Sequence, residues 1–176
     1  MAYEFQITRR VDFCDTDMAG IVHFSNYFRY MEAAETAFLR SLGLSGALAY
    51  THSSFCLPRV HVECDYTAPL RFEDEVRIQL LVKKKGARTL TYLFRFHRLN
   101  GSQPQEVAHG KVVAVCAERK DDGTLQAVPL PKLIADKIQE APAEILAGDA
   151  APVPHTTKSA AGPHPAAAGR HSHHHP

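Results

Sequence analysis

The sequence predicts an α+β fold in which one long helix packs on a strongly curved antiparallel sheet of five strands. Three observations carry this. One stripe of apolar or small residues, Tyr27, Met31, Ala34, Phe38 and Leu42, recurs at spacings of three and four, which is one face of a helix. Five stretches alternate apolar with polar residues, one before that helix and four after it. The four later stretches are joined by short turns, and hairpin connections imply antiparallel pairing.

Taken in order, residues 3–13 read as the first strand, with Tyr3, Phe5 and Ile7 set against Glu4, Gln6 and Thr8, then Val11 and Phe13. The helix follows, with Ser25 or Asn26 suited to its N-cap and Gly43 standing where a left-handed C-terminal residue belongs. Arg29, Glu32, Glu35 and Arg40 fall off its apolar stripe. Residues 59–66 alternate Val60, Val62, Cys64 and Tyr66 with His61, Glu63 and Asp65. Residues 75–83 align Val76, Ile78, Leu80 and Val82 on one face. After a Lys84-Lys85-Gly86-Ala87 turn, Leu90, Tyr92, Phe94 and Phe96 do the same. Asn100-Gly101 marks the turn before a last strand, Val107 to Ala117, and Pro131 with Leu133, Ile134 and Ile138 suggests a short closing helix.

The 176 residues suit one domain. Composition shifts near residue 141. The last 36 residues hold ten alanines, six of eleven prolines and six of eleven histidines, while all fifteen Phe and Tyr residues lie between Tyr3 and Phe96. A stretch without aromatics buries too little surface to offset its ordering entropy. The expected division is therefore a folded unit over 1–140 and an Ala/Pro/His-rich disordered tail over 141–176, with 147–176 the clearest part. The net charge of +1 argues against a protein that grips a nucleic-acid backbone. No run approaches the roughly 18 apolar residues of a membrane span, and no signal peptide is visible at the N-terminus, so a cytoplasmic location is expected. Cys14, Cys56, Cys64 and Cys116 form no C-x-x-C pair and read as free thiols. The closing Arg170-His171-Ser172-His173-His174-His175 tract suits weak nickel or zinc binding but defines no structural metal site.

The chemistry concentrates between Val11 and Tyr27, where Asp15 and Asp17 precede Gly20 and a helix start. A helix N-terminus offers unpaired N–H groups and a partial positive charge, which can hold a carbonyl oxygen as it becomes an oxyanion. A nearby carboxylate can then attack or activate water. From residue types alone, the same two carboxylates also suit a turn shaped by local side-chain hydrogen bonds.

The stretch Asp15-Thr16-Asp17-Met18-Ala19-Gly20-Ile21-Val22-His23-Phe24-Ser25-Asn26-Tyr27-Phe28, followed by Tyr30-Met31-Glu32-Ala33-Ala34, resembles the hotdog-fold acyl-CoA thioesterases of the 4-hydroxybenzoyl-CoA thioesterase and YbgC-like family. The likeness extends over about residues 4–135, through Ala68-Pro69-Leu70 and the Arg88-Thr89-Leu90-Thr91-Tyr92 strand. It implies a curved five-stranded sheet wrapped around the helix and hydrolysis of an acyl-CoA to free acid and CoA. It also implies no metal and no cofactor, coenzyme A being part of the substrate.

Carried over by position, Asp17 is the catalytic carboxylate, acting as nucleophile or as base for water. Gly20 lets the thioester approach, and the N–H groups of His23 and Phe24 hold its carbonyl. Asp15 shapes the loop, and Tyr27 packs under the helix beside the substrate. His23 stands where many members carry Tyr or Trp, and reads as a pocket wall or an aromatic-shaped spacer. Phe55, Leu57 and Pro58 suit an acyl pocket or the core. Lys84, Lys85, Arg88 and Thr89, at a basic turn, suit the phosphates of CoA, with a solvated hairpin tip as the plainer reading.

The resemblance further implies a homodimer or homotetramer, with one sheet continuing into the next and the substrate at the junction. Two alternatives stay open, a thioesterase acting on acyl carrier protein and a non-catalytic acyl- or CoA-binding protein. Hotdog dehydratases carry His-Phe at a helix start with Glu fourteen residues later. Here that position is Ala37, which disfavours the reaction.

Overall fold

A computed structural model describes residues 1–44 and 54–148. In chain order the elements are β1 (Glu4–Arg10), a 3-10 turn (Phe13–Asp15), α1 (Asn26–Ser41), β2 (Phe55–Cys56) and β3 (Arg59–Tyr66). Then come β4 (Glu75–Lys85), β5 (Thr89–Arg98), β6 (Gln105–Val115), β7 (Ala117–Arg119), β8 (Leu125–Ala127), α2 (Lys132–Ala135) and α3 (Ala143–Ala147). The main sheet runs β1-β4-β5-β6-β3, with every neighbouring pair antiparallel. A small sheet, β2-β7-β8, sits beyond the end of β6.

The alternation read from β4 and β5 is the alternation the core uses. Val76, Ile78, Leu80 and Val82 are buried against α1, as are Leu90, Tyr92, Phe94 and Phe96. From the helix come Tyr27, Tyr30, Met31, Ala34, Phe38 and Leu39. Each such apolar side chain contributes about 1.5–3 kcal/mol on burial. The helix ends as its sequence predicts. Gly43 has φ +71°, and the N–H groups of Gly43 and Leu44 return to the carbonyls of Arg40 and Leu39. Its start differs, because the Ser25 hydroxyl makes no cap bond and meets His23 instead.

The Met31 side chain of α1 lies over β6 so closely that Gly110 has no room for a side chain. A Cβ there would collide with Met31 Cε and come within 2.8 Å of the Glu63 carbonyl. Glu35, expected off the apolar stripe, is buried at 2% exposure. It lies four residues beyond Met31, on the same face. Its Oε2 accepts from Arg59 Nη2 at 2.7 Å.

The first strand stops at Arg10 rather than reaching Phe13, where the 3-10 turn begins. The packed chain also runs past the expected boundary at 140. Ala141 is buried and donates its N–H to the Val82 carbonyl. Arg95 Nη2 on β5 donates to the carbonyls of Ile145 and Leu146 at 3.1 and 2.9 Å, which anchors α3. The expected tail from 149 onward lies outside the described residues. Among the described residues, no helix is long and apolar enough to cross a membrane.

Candidate active site

The Asp15–Tyr27 segment is a loop held at both ends. Thr16 and Val22 form an antiparallel bridge, and the Asp17 N–H donates to the Ile21 carbonyl at 2.9 Å. Gly20 N–H donates to the Asp17 carbonyl, closing a tight turn in which Gly20 takes φ +75°. That dihedral, not crowding, is what calls for glycine, since nothing lies within 4 Å of the place a Cβ would take. Asp17 Oδ1 accepts the Ala19 N–H at 2.8 Å. One carboxylate oxygen thus shapes the turn, as an Asx turn does. The other, Oδ2, has no partner among the described residues.

Asp15 anchors the loop to the helix. Its Oδ2 accepts from the Tyr30 hydroxyl at 2.7 Å and from the Asp12 N–H at 3.1 Å. Its carbonyl takes the His23 N–H and Asn26 Nδ2 at 2.9 and 2.8 Å. Burial and the bond to Asp15 together hold the Tyr30 phenol well above its ordinary value, and Arg9 lies over its ring at 5.1 Å.

Two expected carbonyl donors therefore separate. The His23 N–H is spent on Asp15, whereas the Phe24 N–H has no partner among the described residues. The His23 ring stacks on Phe24 at 4.4 Å. Its Nδ1 takes the Ser25 N–H at 3.3 Å, which leaves the proton of the neutral ring on Nε2.

Asp17 and Phe24 border one open pocket of about 520 Å³, walled by Ile21, Val22, Tyr27, Tyr66 and the Thr67–Pro69 loop. Tyr27 is 2% exposed, edge-on to Tyr66 and Phe96. Burial pushes its phenol up to about 12. Tyr66, which the sequence reading did not single out, donates its hydroxyl to the Phe24 carbonyl at 2.8 Å and ties β3 to the helix start. An aromatic closing an alternating strand was the available signal. Burial lifts the thiol of Cys64 beside it to about 11. Among the described residues, no three His, Cys, Asp or Glu side chains converge as metal ligands do.

Other expected site residues lie elsewhere. Leu57 packs in a second cluster with Ala114 and Cys116, and Phe55 packs against that cluster. Pro58 precedes β3, whereas the pocket meets its far end at Tyr66, about 26 Å away at ~3.3 Å per residue. Within one chain, then, Phe55, Leu57 and Pro58 do not line the Asp17 pocket.

The basic turn sits at that far end too, since Thr89 pairs with Val115 and the Arg88 carbonyl takes the Cys116 N–H. Lys84 and Arg88 are exposed. Lys85 is not free for a phosphate. Its ammonium donates to the carbonyls of Ala135 and Ile138 at 2.9 and 2.8 Å, fastening α2.

Comparison with known proteins agrees with this layout. Residues 11–147 match the model of the thioesterase-like superfamily. A 1,4-dihydroxy-2-naphthoyl-CoA hydrolase of Synechococcus elongatus is 29% identical over 137 residues, which is 77% of this chain and 96% of that protein. A putative esterase of Aquifex aeolicus is 36% identical over 90 residues, 51% of this chain and 70% of that protein. Among solved structures, a gentisyl-coenzyme A thioesterase superposes with TM-score 0.64 at 30% identity, covering 74% of this chain and 99% of its own. A 4-hydroxybenzoyl CoA thioesterase mutant, complexed with 4-hydroxybenzoyl CoA, shares the fold at TM-score 0.68 and 22% identity, covering 77% of this chain and 99% of its own. With a family match that spans the loop, the helix and every strand after β1, the chain belongs to the thioesterase-like superfamily and is a hotdog-fold thioester hydrolase.

Proposed function

We propose that the chain hydrolyses acyl-CoA thioesters, R–CO–S–CoA plus water giving R–COOH plus CoA–SH. One observation carries the reading. Asp17, whose Oδ2 has no partner among the described residues, and Phe24, whose N–H likewise has none, line a common pocket at the head of a 16-residue helix. The carbonyl oxygen sits on the Phe24 N–H, where the helix start favours negative charge. Asp17 either takes a proton from the attacking water or attacks the carbonyl carbon itself, in which case water then hydrolyses the mixed anhydride to R–COOH and frees the carboxylate. In both cases the thiolate leaves and is protonated. Hydrolases of aroyl-CoA among the relatives support an aroyl group as substrate.

A homodimer suits this chemistry. β3 is an edge strand with Val60, Val62 and Tyr66 exposed at 62, 47 and 44%. A second copy pairing there covers the edge and lays its Lys84–Arg88 turn toward this chain's pocket, where the phosphates of CoA emerge.

The test is thiol release from a panel of aromatic and aliphatic acyl-CoAs, with wild type and Asp17→Asn compared. Asn keeps an oxygen for the Ala19 N–H, so the turn survives. Turnover should fall about 10²–10⁴-fold. Near-normal turnover removes Asp17 from the mechanism. Release from acyl carrier protein but from no acyl-CoA moves the substrate to the carrier.

A further inference from the structure

The sequence of β3 says more than that two copies can pair along it. The inference rests on the dimeric thioesterase reading above. Thr67 donates its N–H to the Val107 carbonyl, so by antiparallel alternation His61, Glu63 and Asp65 turn their backbone groups toward β6. Val62 and Cys64 then present theirs to the open edge. A two-fold axis that continues the sheet keeps both helices on one side, so only same-face residues can stand opposite each other. The register can therefore move only in steps of two residues.

Centring it on Val62 sets His61 across from Glu63 of the partner subunit, and Glu63 across from His61 of the partner subunit. One step either way sets Glu63 against its own copy, two carboxylates face to face, or leaves each Glu63 with only the His61 and Lys111 of its own chain, at 2.8 and 3.1 Å, and no imidazole across the edge. Charge complementarity selects Val62.

With the extra residue of the bulge counted, that register brings Arg59 of the partner subunit level with Cys64, next to Tyr66 at the pocket mouth. Arg59 is aimed by two devices. A bulge between Arg59 and His61 moves it opposite Ala114, on the helix side of the sheet. There Glu35 holds Nη2 at 2.7 Å, while Nη1 reaches the Leu57 carbonyl at 3.4 Å. The Arg59 side chain remains 41% exposed, with most of its donors unused among the described residues. Glu35 Oε1 is buried with no partner, so the pair is a poor device for stability alone. It is a good device for fixing a guanidinium. Apart from Asp17, the side chains walling the pocket carry no charge.

We propose that Arg59 is a specificity-determining residue of the neighbouring subunit's site, where it selects acyl groups bearing an anionic oxygen, with Glu35 as its positioning residue. The experiment uses the full chain and matched substrates, benzoyl- against 4-carboxybenzoyl-CoA and valeryl- against glutaryl-CoA. Arg59→Met should lower kcat/KM at least tenfold for the carboxylated member and less than threefold for the other. An equal loss on both, or none, overturns the selectivity.

Placement in trans is read by mixing. Asp17→Asn and Arg59→Met chains, refolded together, give mixed dimers with one intact site. They should recover about a quarter of wild-type activity on the carboxylated substrate, because half the dimers are mixed and one of their two sites is whole. A dimeric mass without recovery overturns the placement. A monomeric mass removes the dimer instead, and a wild-type chain that releases no thiol removes the thioesterase reading, each taking the proposal with it. For the register, Val62→Cys in a Cys64→Ser background should cross-link to itself, identified by peptide mass. Cross-linking through Glu63→Cys in its place overturns the centring on Val62.

Discussion

Tyr30 and Asp15 show how much of the candidate site is set by one hydrogen bond. The phenol reaches from the second turn of α1 to the carboxylate that also caps Asp12, so the loop carrying Asp17 is fixed to the helix. Tyr30→Phe keeps the ring and deletes the donor. Stability should fall by about 1.5–3 kcal/mol, the range for a hydrogen bond to a charged group, seen as a lower urea midpoint. A drop in kcat larger than the rise in KM should accompany it, because Asp17 loses its support. At Glu35, burial raises the carboxyl above its ordinary value against the pull of Arg59. A group whose folded value is raised contributes stability that is complete below its unfolded value and lost as pH climbs through the folded one. Glu35→Gln should therefore flatten the fall in Tm above the ordinary carboxylate range. An unchanged Tm profile counts against a buried, titrating Glu35.

At the scale of elements, α1 packs mainly against β4 and β1, and its Met31 side chain reaches across to β6. Gly110 is where that side chain lands, with the Glu63 backbone beside it. Met31 can swing aside, but the Glu63 carbonyl belongs to a paired strand and cannot move cheaply. Gly110→Ala should cost about 1–3 kcal/mol as overpacking, read by denaturant unfolding. Because the helix start faces the pocket, activity should fall with it. The small sheet β2-β7-β8 has a different task. It closes the far end of the barrel-like curve over Leu57, Ala114 and Cys116, and its two- and three-residue strands are too short to show alternation in the sequence.

For the molecule as a whole, the C-terminal segment acts as a strap. From α2 it crosses beside β1, where Gln139 donates to the Ala2 carbonyl, passes Val82 at Ala141, and ends at α3 over Arg95. Ending the chain after Gly148 should leave thiol release unchanged. Ending it after residue 140 strips the half-buried Arg95 guanidinium of two acceptors and should lower Tm by several degrees.

The main elements were legible because a half-buried strand and a one-sided helix write their burial into local spacing. Val76, Ile78, Leu80 and Val82 of β4 are buried as their alternation predicts, and the stripe from Tyr27 to Phe38 faces the sheet; 59–66 match the bounds of β3, although only Cys64 there is even partly buried. The Asp15–Tyr27 loop stood out for a related reason, since turn chemistry and helix caps are local too. What spacing could not encode was any meeting of distant residues. The bond from Tyr66 to Phe24, the burial of Glu35 on Arg59, the capture of Lys85 by α2 and the loss of the His23 N–H to Asp15 each join groups that only the folded chain brings together. The sequence by itself thus determined the order and faces of the elements and the loop where chemistry gathers. Tertiary structure decided which donors stay free for a substrate, because a donor's availability depends on what packs against it.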